Sequence, residues 1–173
     1  MEYKIDNAKS NILWKAYQPK NYITGKVSFK QGKIVLSKGL ITGGFAQVDF
    51  ATIKVTDTKL TSDQQNTLEK HLKSGDFFNL LDHPSALFEV AEVRPSSGFT
   101  THIVVGDLTI KGITHRFEIP TNIVIEKDKL DIKAKFTITR TRYNIDFMIE
   151  ESFAEKKILP EFDIEIHIVG TAK

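Results

Sequence analysis

Three segments in the second half of the chain alternate apolar and polar residues with a period of two. From Arg116, the residues Phe117, Ile119, Thr121, Ile123 and Ile125 fall on one face, and Arg116, Glu118, Asn122 and Glu126 on the other. The next segment sets Leu130, Ile132, Ala134, Phe136 and Ile138 against Asp131, Lys133, Lys135 and Thr137. The last sets Phe162, Ile164, Ile166 and Ile168 against Glu161, Asp163, Glu165 and His167. Successive side chains of a strand point to opposite faces, so these segments read as half-buried antiparallel strands.

Turn residues punctuate the pattern. Glu126 to Lys129 is a short polar connection, Gly112 parts Ile110 from Phe117, Ser96-Ser97-Gly98 parts Val90 from Val104, and Gln31-Gly32 parts Phe29 from Ile34. About eight to ten strands follow, near residues 3–6, 11–17, 24–30, 33–37, 42–55, 86–94, 99–111, 115–127, 130–139 and 161–170. So many long antiparallel strands must close into a barrel or stack as a sandwich. One segment is helical. Ser62 and Gln65 fit a capping box, Leu68 and Leu72 share a face, Glu69 and Lys73 pair at i,i+4, and Gly75 is placed for the C-terminal cap. The helix is expected near residues 63–74, packed across the strands. The fold class is therefore all-β, an extended antiparallel barrel of about eight strands with one helix.

Composition bounds the function. At 173 residues, the chain is read as a single domain, residues 1–173. With 24 Lys and Arg against 22 Asp and Glu, the net charge is +2, too slight to draw nucleic acid or an anionic membrane. No apolar run approaches the ~18 residues that span a bilayer. Zero Cys excludes disulfides, thiolate metal sites and a cysteine nucleophile. The beginning, Met-Glu-Tyr-Lys-Ile-Asp, has no basic patch followed by an apolar core and so reads as lacking a signal peptide.

The polar candidates each have a plain structural alternative. The five His show no zinc spacing, so no metal site and no cofactor is expected. His71, beside Leu72 on the barrel side of the helix, is a candidate base or headgroup contact, with a packed, backbone-bonded imidazole as the alternative. Asp82-His83-Pro84-Ser85 holds the residue types of a hydrolytic triad, but neighbours in sequence seldom face one another and no nucleophile elbow is present, so it reads as a turn. Arg140 and Arg142, at a strand end before Tyr143, could hold a phosphate or carboxylate headgroup, or could pair with Glu150 or Glu151 at the surface.

The 12 Phe are also open to two readings. Phe29, Phe45, Phe50, Phe88, Phe117, Phe136 and Phe162 could simply fill a core. An eight-stranded barrel, however, is at the size where the interior either fills with side chains or holds one small ligand.

Two blocks then carry a resemblance. Gly106-Asp-Leu-Thr-Ile-Lys-Gly-Ile-Thr114 resembles the G-D-L-T-x-x-G-x-T signature of the YceI-like family, and Lys70-His-Leu-Lys-Ser-Gly-Asp-Phe-Phe78, followed by Pro84 and Phe88, resembles its H-L-x-S-x-D-F-F block. Ile53 to Asp57 and the step from Asn144 to Phe147 fit less specifically. The resemblance covers about residues 5–170. It implies a lipocalin-like antiparallel barrel around an elongated apolar tunnel that binds polyisoprenoids or other long-chain amphiphiles, with no catalytic residues. It also implies secretion or a periplasmic location; the chain's beginning leaves the cytoplasm as the alternative.

The resulting expectation is a non-enzymatic protein that carries or sequesters an isoprenoid or fatty amphiphile. A homodimer is one assembly left open. Tunnel-lining positions are Trp14, Phe29 and Phe45 in the first half, then Phe88, Leu108 and Ile110, then Phe117, Ile119, Phe136, Ile138 and Phe162. Headgroup candidates are Arg140, Tyr143 and His71. One rival is an enzyme acting on a bound lipid, with His71 as base. The other is a stress-related interaction protein whose barrel is filled and whose residues 141–160 form the partner surface.

Overall fold

The computed structural model describes residues 1–146 and 158–172. Nine strands follow in chain order: β1 (Glu2–Ile5), β2 (Asn11–Gln18), β3 (Asn21–Ser37), β4 (Leu40–Val55), β5 (Ser85–Pro95), β6 (His102–Ile110), β7 (Ile113–Glu126), β8 (Lys129–Thr139) and β9 (Glu161–Ala172). Helix α1 (Ser62–Lys73) lies between β4 and β5, and a 3-10 turn, Arg140–Tyr143, follows β8. Neighbours in space run β1-β3-β2-β9-β8-β7-β6-β5-β4, and β3 pairs back onto β4, which closes the sheet. β1 and β2 share one place in the wall. β1 pairs with Lys33–Val35 of β3 and with Gly170–Ala172 of β9, while β2 covers the other halves of the same two strands. The result is a closed antiparallel barrel of eight strand positions with one helix.

Connections sort to two ends. At the helix end lie the β2–β3 turn, α1, the β6–β7 turn and, of the β8–β9 link, residues 140–146 and 158–160; the far end carries the β3–β4, β5–β6 and β7–β8 hairpins. Two of these turns use a Lys-Gly pair with both residues left-handed: Lys38 and Gly39 at φ 53 and 77, and Lys111 and Gly112 at φ 53 and 76. That geometry matches the twist of a two-residue hairpin, and Gly at the second position adopts it without strain.

Two segments depart from expectation. Gln31-Gly32 is not a turn but the middle of the continuous strand β3, where the register with β4 shifts. Gly32 sits there because β1 crosses closely, and a Cβ at this position would stand 2.2 Å from Ile5 Cδ1. The helix is capped one residue early, by Thr61. The Thr61 hydroxyl accepts from the Gln64 N–H at 3.2 Å, and the Gln64 side chain accepts from the Thr61 N–H at 2.9 Å. Ser74, not Gly75, takes the C-cap position. Of the 141–160 segment, residues 147–157 lie outside the described residues, among them Phe147, Glu150, Glu151 and Phe153.

The wall has one weak line. The β7–β8 ladder runs from Glu126 and Lys129 to Thr121 and Ala134 and stops at Pro120. Proline has no N–H to donate, so pairing ends there. Beyond it, β7 pairs only with β6, and Lys135–Thr139 of β8 only with β9.

Candidate functional site

The inward faces of the strands enclose a cavity of about 230 Å³. Its lining reaches from Ile23 to Ile34 on β3, eleven residue steps (34 − 23), or roughly 28 Å along the barrel axis at a tilt of ~40°. Among the described residues that line it, only Lys33, Thr121 and Arg140 carry charged or hydroxyl-bearing side chains. The Thr121 hydroxyl is spent, donating to the Ile119 carbonyl at 2.8 Å. An enclosed apolar space of this length describes a hollow barrel.

Two glycines help to keep it hollow. Gly25 lies directly opposite Trp14 on the next strand, and a Cβ there would fall 2.0 Å from the indole ring. A Cβ at Gly106 would fall 2.3 Å from the Phe88 ring. Each ring therefore lies flat over a bare backbone, covering the wall instead of standing into the lumen. This is the structural reason for glycine at the first position of the Gly106–Thr114 block. Asp107 and Thr109 of that block face outward, to Arg116 at 3.0 Å and Thr114 at 2.7 Å.

Ten of the eleven expected lining residues face the cavity: Trp14, Phe29, Phe45, Phe88, Leu108, Ile110, Ile119, Phe136, Ile138 and Phe162. Phe117 does not. It sits on the part of β7 that has left β8, and its ring meets Phe136 edge-on, with centroids 5.9 Å apart, across the interrupted ladder. Pro120 is the sequence signal that could have placed it.

The three headgroup candidates separate. Arg140 is not at an exposed rim: it is 3% exposed, at the helix end of the cavity, with its guanidinium 5.4 Å from the Phe77 ring centroid. Nε donates to the Leu159 carbonyl, Nη1 to Ile145 and Nη2 to Ile158, so it gathers the chain segments that close this end. Burial pulls the guanidinium down to about 10, opposed by the exposed Asp146, which leaves it charged at neutral pH. Among the described residues no carboxylate comes within 4.0 Å of it, although Glu150 and Glu151, its expected surface partners, lie outside them. Tyr143 is buried outside the cavity, donating to the Leu108 carbonyl at 2.9 Å, and burial pushes its hydroxyl up to about 12, with the Arg142 charge acting the other way. His71 also stays outside. It packs edge-on against Phe77 with centroids 4.9 Å apart and lies 3.4 Å from Asp76.

No triad assembles at Asp82-His83-Pro84-Ser85. Asp82 accepts from the Asn79 side chain at 3.0 Å, the His83 N–H donates to the Asn79 carbonyl at 2.8 Å, and the Ser85 hydroxyl accepts from Gln47 at 3.0 Å. Asn79 is left-handed at φ 51, which makes this a turn feeding β5. Arg142 is exposed and faces His115, its Nη2 3.2 Å from Nδ1.

Sequence reasoning missed Lys33, which borders the cavity beside Ile34 although its side chain turns to Glu2 at 3.5 Å, and missed Ile145 and Ile158, which join Phe77 and Phe78 in plugging the helix end. Phe78 packs against Phe50, with ring centroids 4.6 Å apart and the planes tilted by 33°.

The model of the YceI-like domain matches residues 3–170. UPF0312 protein SAB2563 of Staphylococcus aureus is 34% identical over 158 residues, covering 84% of this chain and 82% of the relative. Among solved structures, Burkholderia cenocepacia BcnA superposes with a TM-score of 0.79 at 20% identity, covering 96% of this chain and 99% of that one. A polyisoprenoid binding domain from Saccharophagus degradans, implicated in plant cell wall breakdown, superposes with a TM-score of 0.74 at 12% identity, covering 99% and 98%. At those identities the two structures speak for the fold.

Proposed function

We propose, from the premise that the chain belongs to the YceI-like family, that the barrel takes up one long-chain isoprenoid or comparable fatty amphiphile and carries or sequesters it unchanged. The observation that carries this reading is the cavity itself, elongated and almost wholly apolar in its lining. Water in such a space finds few partners, whereas a hydrocarbon chain gains burial along its whole length. The polyisoprenoid binding domain of Saccharophagus degradans, with the same fold, supports the ligand class. The ten cavity-facing aromatic and aliphatic residues are the proposed contacts. Binding without conversion fits a lining in which, among the described residues, the one hydroxyl is already engaged and no His, Asp or Glu appears.

Burial contributes about 0.8 kcal/mol per methylene, which is roughly fourfold in affinity for each added carbon. The test uses straight-chain alcohols of increasing length, titrated into delipidated protein and read through the emission of Trp14, the single tryptophan, which lines the cavity. Saturable one-to-one binding that steepens with chain length is expected. No response at any length would favour the rival account of a barrel that serves only as a scaffold for a protein partner.

A further inference from the structure

We propose that the ligand is a long-chain monocarboxylate, bound carboxylate-first against Arg140 at the helix end of the cavity; this rests on reading the barrel as a lipid carrier. A guanidinium carries five N–H donors. Three are directed at the carbonyls of Leu159, Ile145 and Ile158, one each from Nε, Nη1 and Nη2. One N–H then remains on each terminal nitrogen, two donors for the two oxygens of a carboxylate.

The carbonyls satisfy hydrogen bonds but supply no net negative charge. Arg140 is 3% exposed, and among the described residues the acidic side chain that acts on it is Asp146, itself exposed and farther than 4.0 Å. The guanidinium thus borders the apolar lumen with no paired carboxylate there, an arrangement that favours an anion brought by the ligand. The matching charge is one. Arg140 is the single cation among the described residues that line this end, since Arg142 is exposed and turned to His115. A carboxylate brings one negative charge and leaves the site neutral. A diphosphate brings two or three and would leave excess charge buried. An alcohol brings none.

Lys33, the other lining cation, does not compete for this role. It lies toward the far end, its side chain is 41% exposed, and Glu2 already stands 3.5 Å away.

The test measures binding of three probes to delipidated full-length protein by calorimetry: hexadecanoic acid, hexadecan-1-ol and a C15 prenyl diphosphate. The acid is expected to bind at least tenfold tighter than the alcohol and tighter than the diphosphate. In Arg140→Gln the acid should fall to the level of the alcohol, and Arg140→Lys, which keeps the charge and loses the paired donors, should lie between. Equal binding of acid and alcohol to the wild-type protein would overturn the proposal while leaving lipid carriage intact, and so would a preference for the diphosphate. Binding of none of the three would overturn both. If Arg140→Gln does not fold, the wild-type ranking decides alone.

Discussion

The two ends of the cavity each present one cation, in opposite surroundings. At the far end Lys33 sits half in water beside Glu2, and its charge is screened. At the helix end Arg140 is sealed under Phe77 and the returning chain, held by three carbonyls and by no carboxylate among the described residues. A charge of the same sign is thus nearly inert in one place and decisive in the other, because the dielectric around it differs. Between them lies an aliphatic and aromatic wall that can recognise length and bulk but not charge. On the proposed reading, chain recognition falls to the middle of the barrel and headgroup recognition to one end.

Substitutions can break this division, and their effects should decline from the buried wall to the exposed cation. Ile138→Asp places a carboxylate on a 4% exposed wall position; a loss of about 3–5 kcal/mol in chemical denaturation is expected, with loss of alcohol binding where the protein still folds. Gly106→Ala should cost about 1–3 kcal/mol, since the new methyl would meet the Phe88 ring at 2.3 Å and drive it into the lumen. Its sharper signature is selectivity: bulky branched chains should lose more affinity than straight ones.

Tyr143→Phe should cost about 1 kcal/mol through the lost bond to the Leu108 carbonyl. It also carries a pH signature. The folded hydroxyl titrates near 12, against about 10 in an unfolded chain. The folded state therefore holds its proton where the unfolded state has lost it. That contribution to stability is fully present below pH ~10 and is lost as the pH rises toward ~12. The difference in stability between wild type and Tyr143→Phe should shrink over that window. Lys33→Gln is the smallest, below about 0.5 kcal/mol, with no change in the preference for an acid over an alcohol. A large loss of that preference in Lys33→Gln would reverse the assignment of the two ends.

Much of the barrel is legible in the sequence because alternation is local: β7, β8 and β9 follow directly from which residues share parity. What failed was set by distant neighbours. Gln31-Gly32 has the composition of a turn, yet glycine is there for Ile5, which crosses from a strand 27 residues earlier in sequence. The helix cap slipped by one because Thr61 and Ser62 each have a Gln three residues on, and Gln65 is used elsewhere, donating to the Asp57 carbonyl at 2.8 Å. Arg140 follows a strand end and so reads as a rim residue. Only the return of residues 145, 158 and 159 around it makes it buried. Phe117 has the parity of a lining residue, and the interrupted ladder at Pro120 gives it a different task.

The central claim, that the barrel holds one long-chain lipid, is tested most directly by native mass spectrometry of the protein purified from its own host, followed by organic extraction and mass analysis of what is released. The account predicts a stoichiometric adduct on the 19.6 kDa chain that extracts as a single-chain lipid. A bare protein mass that stays bare after exposure to long-chain acids and alcohols would contradict it.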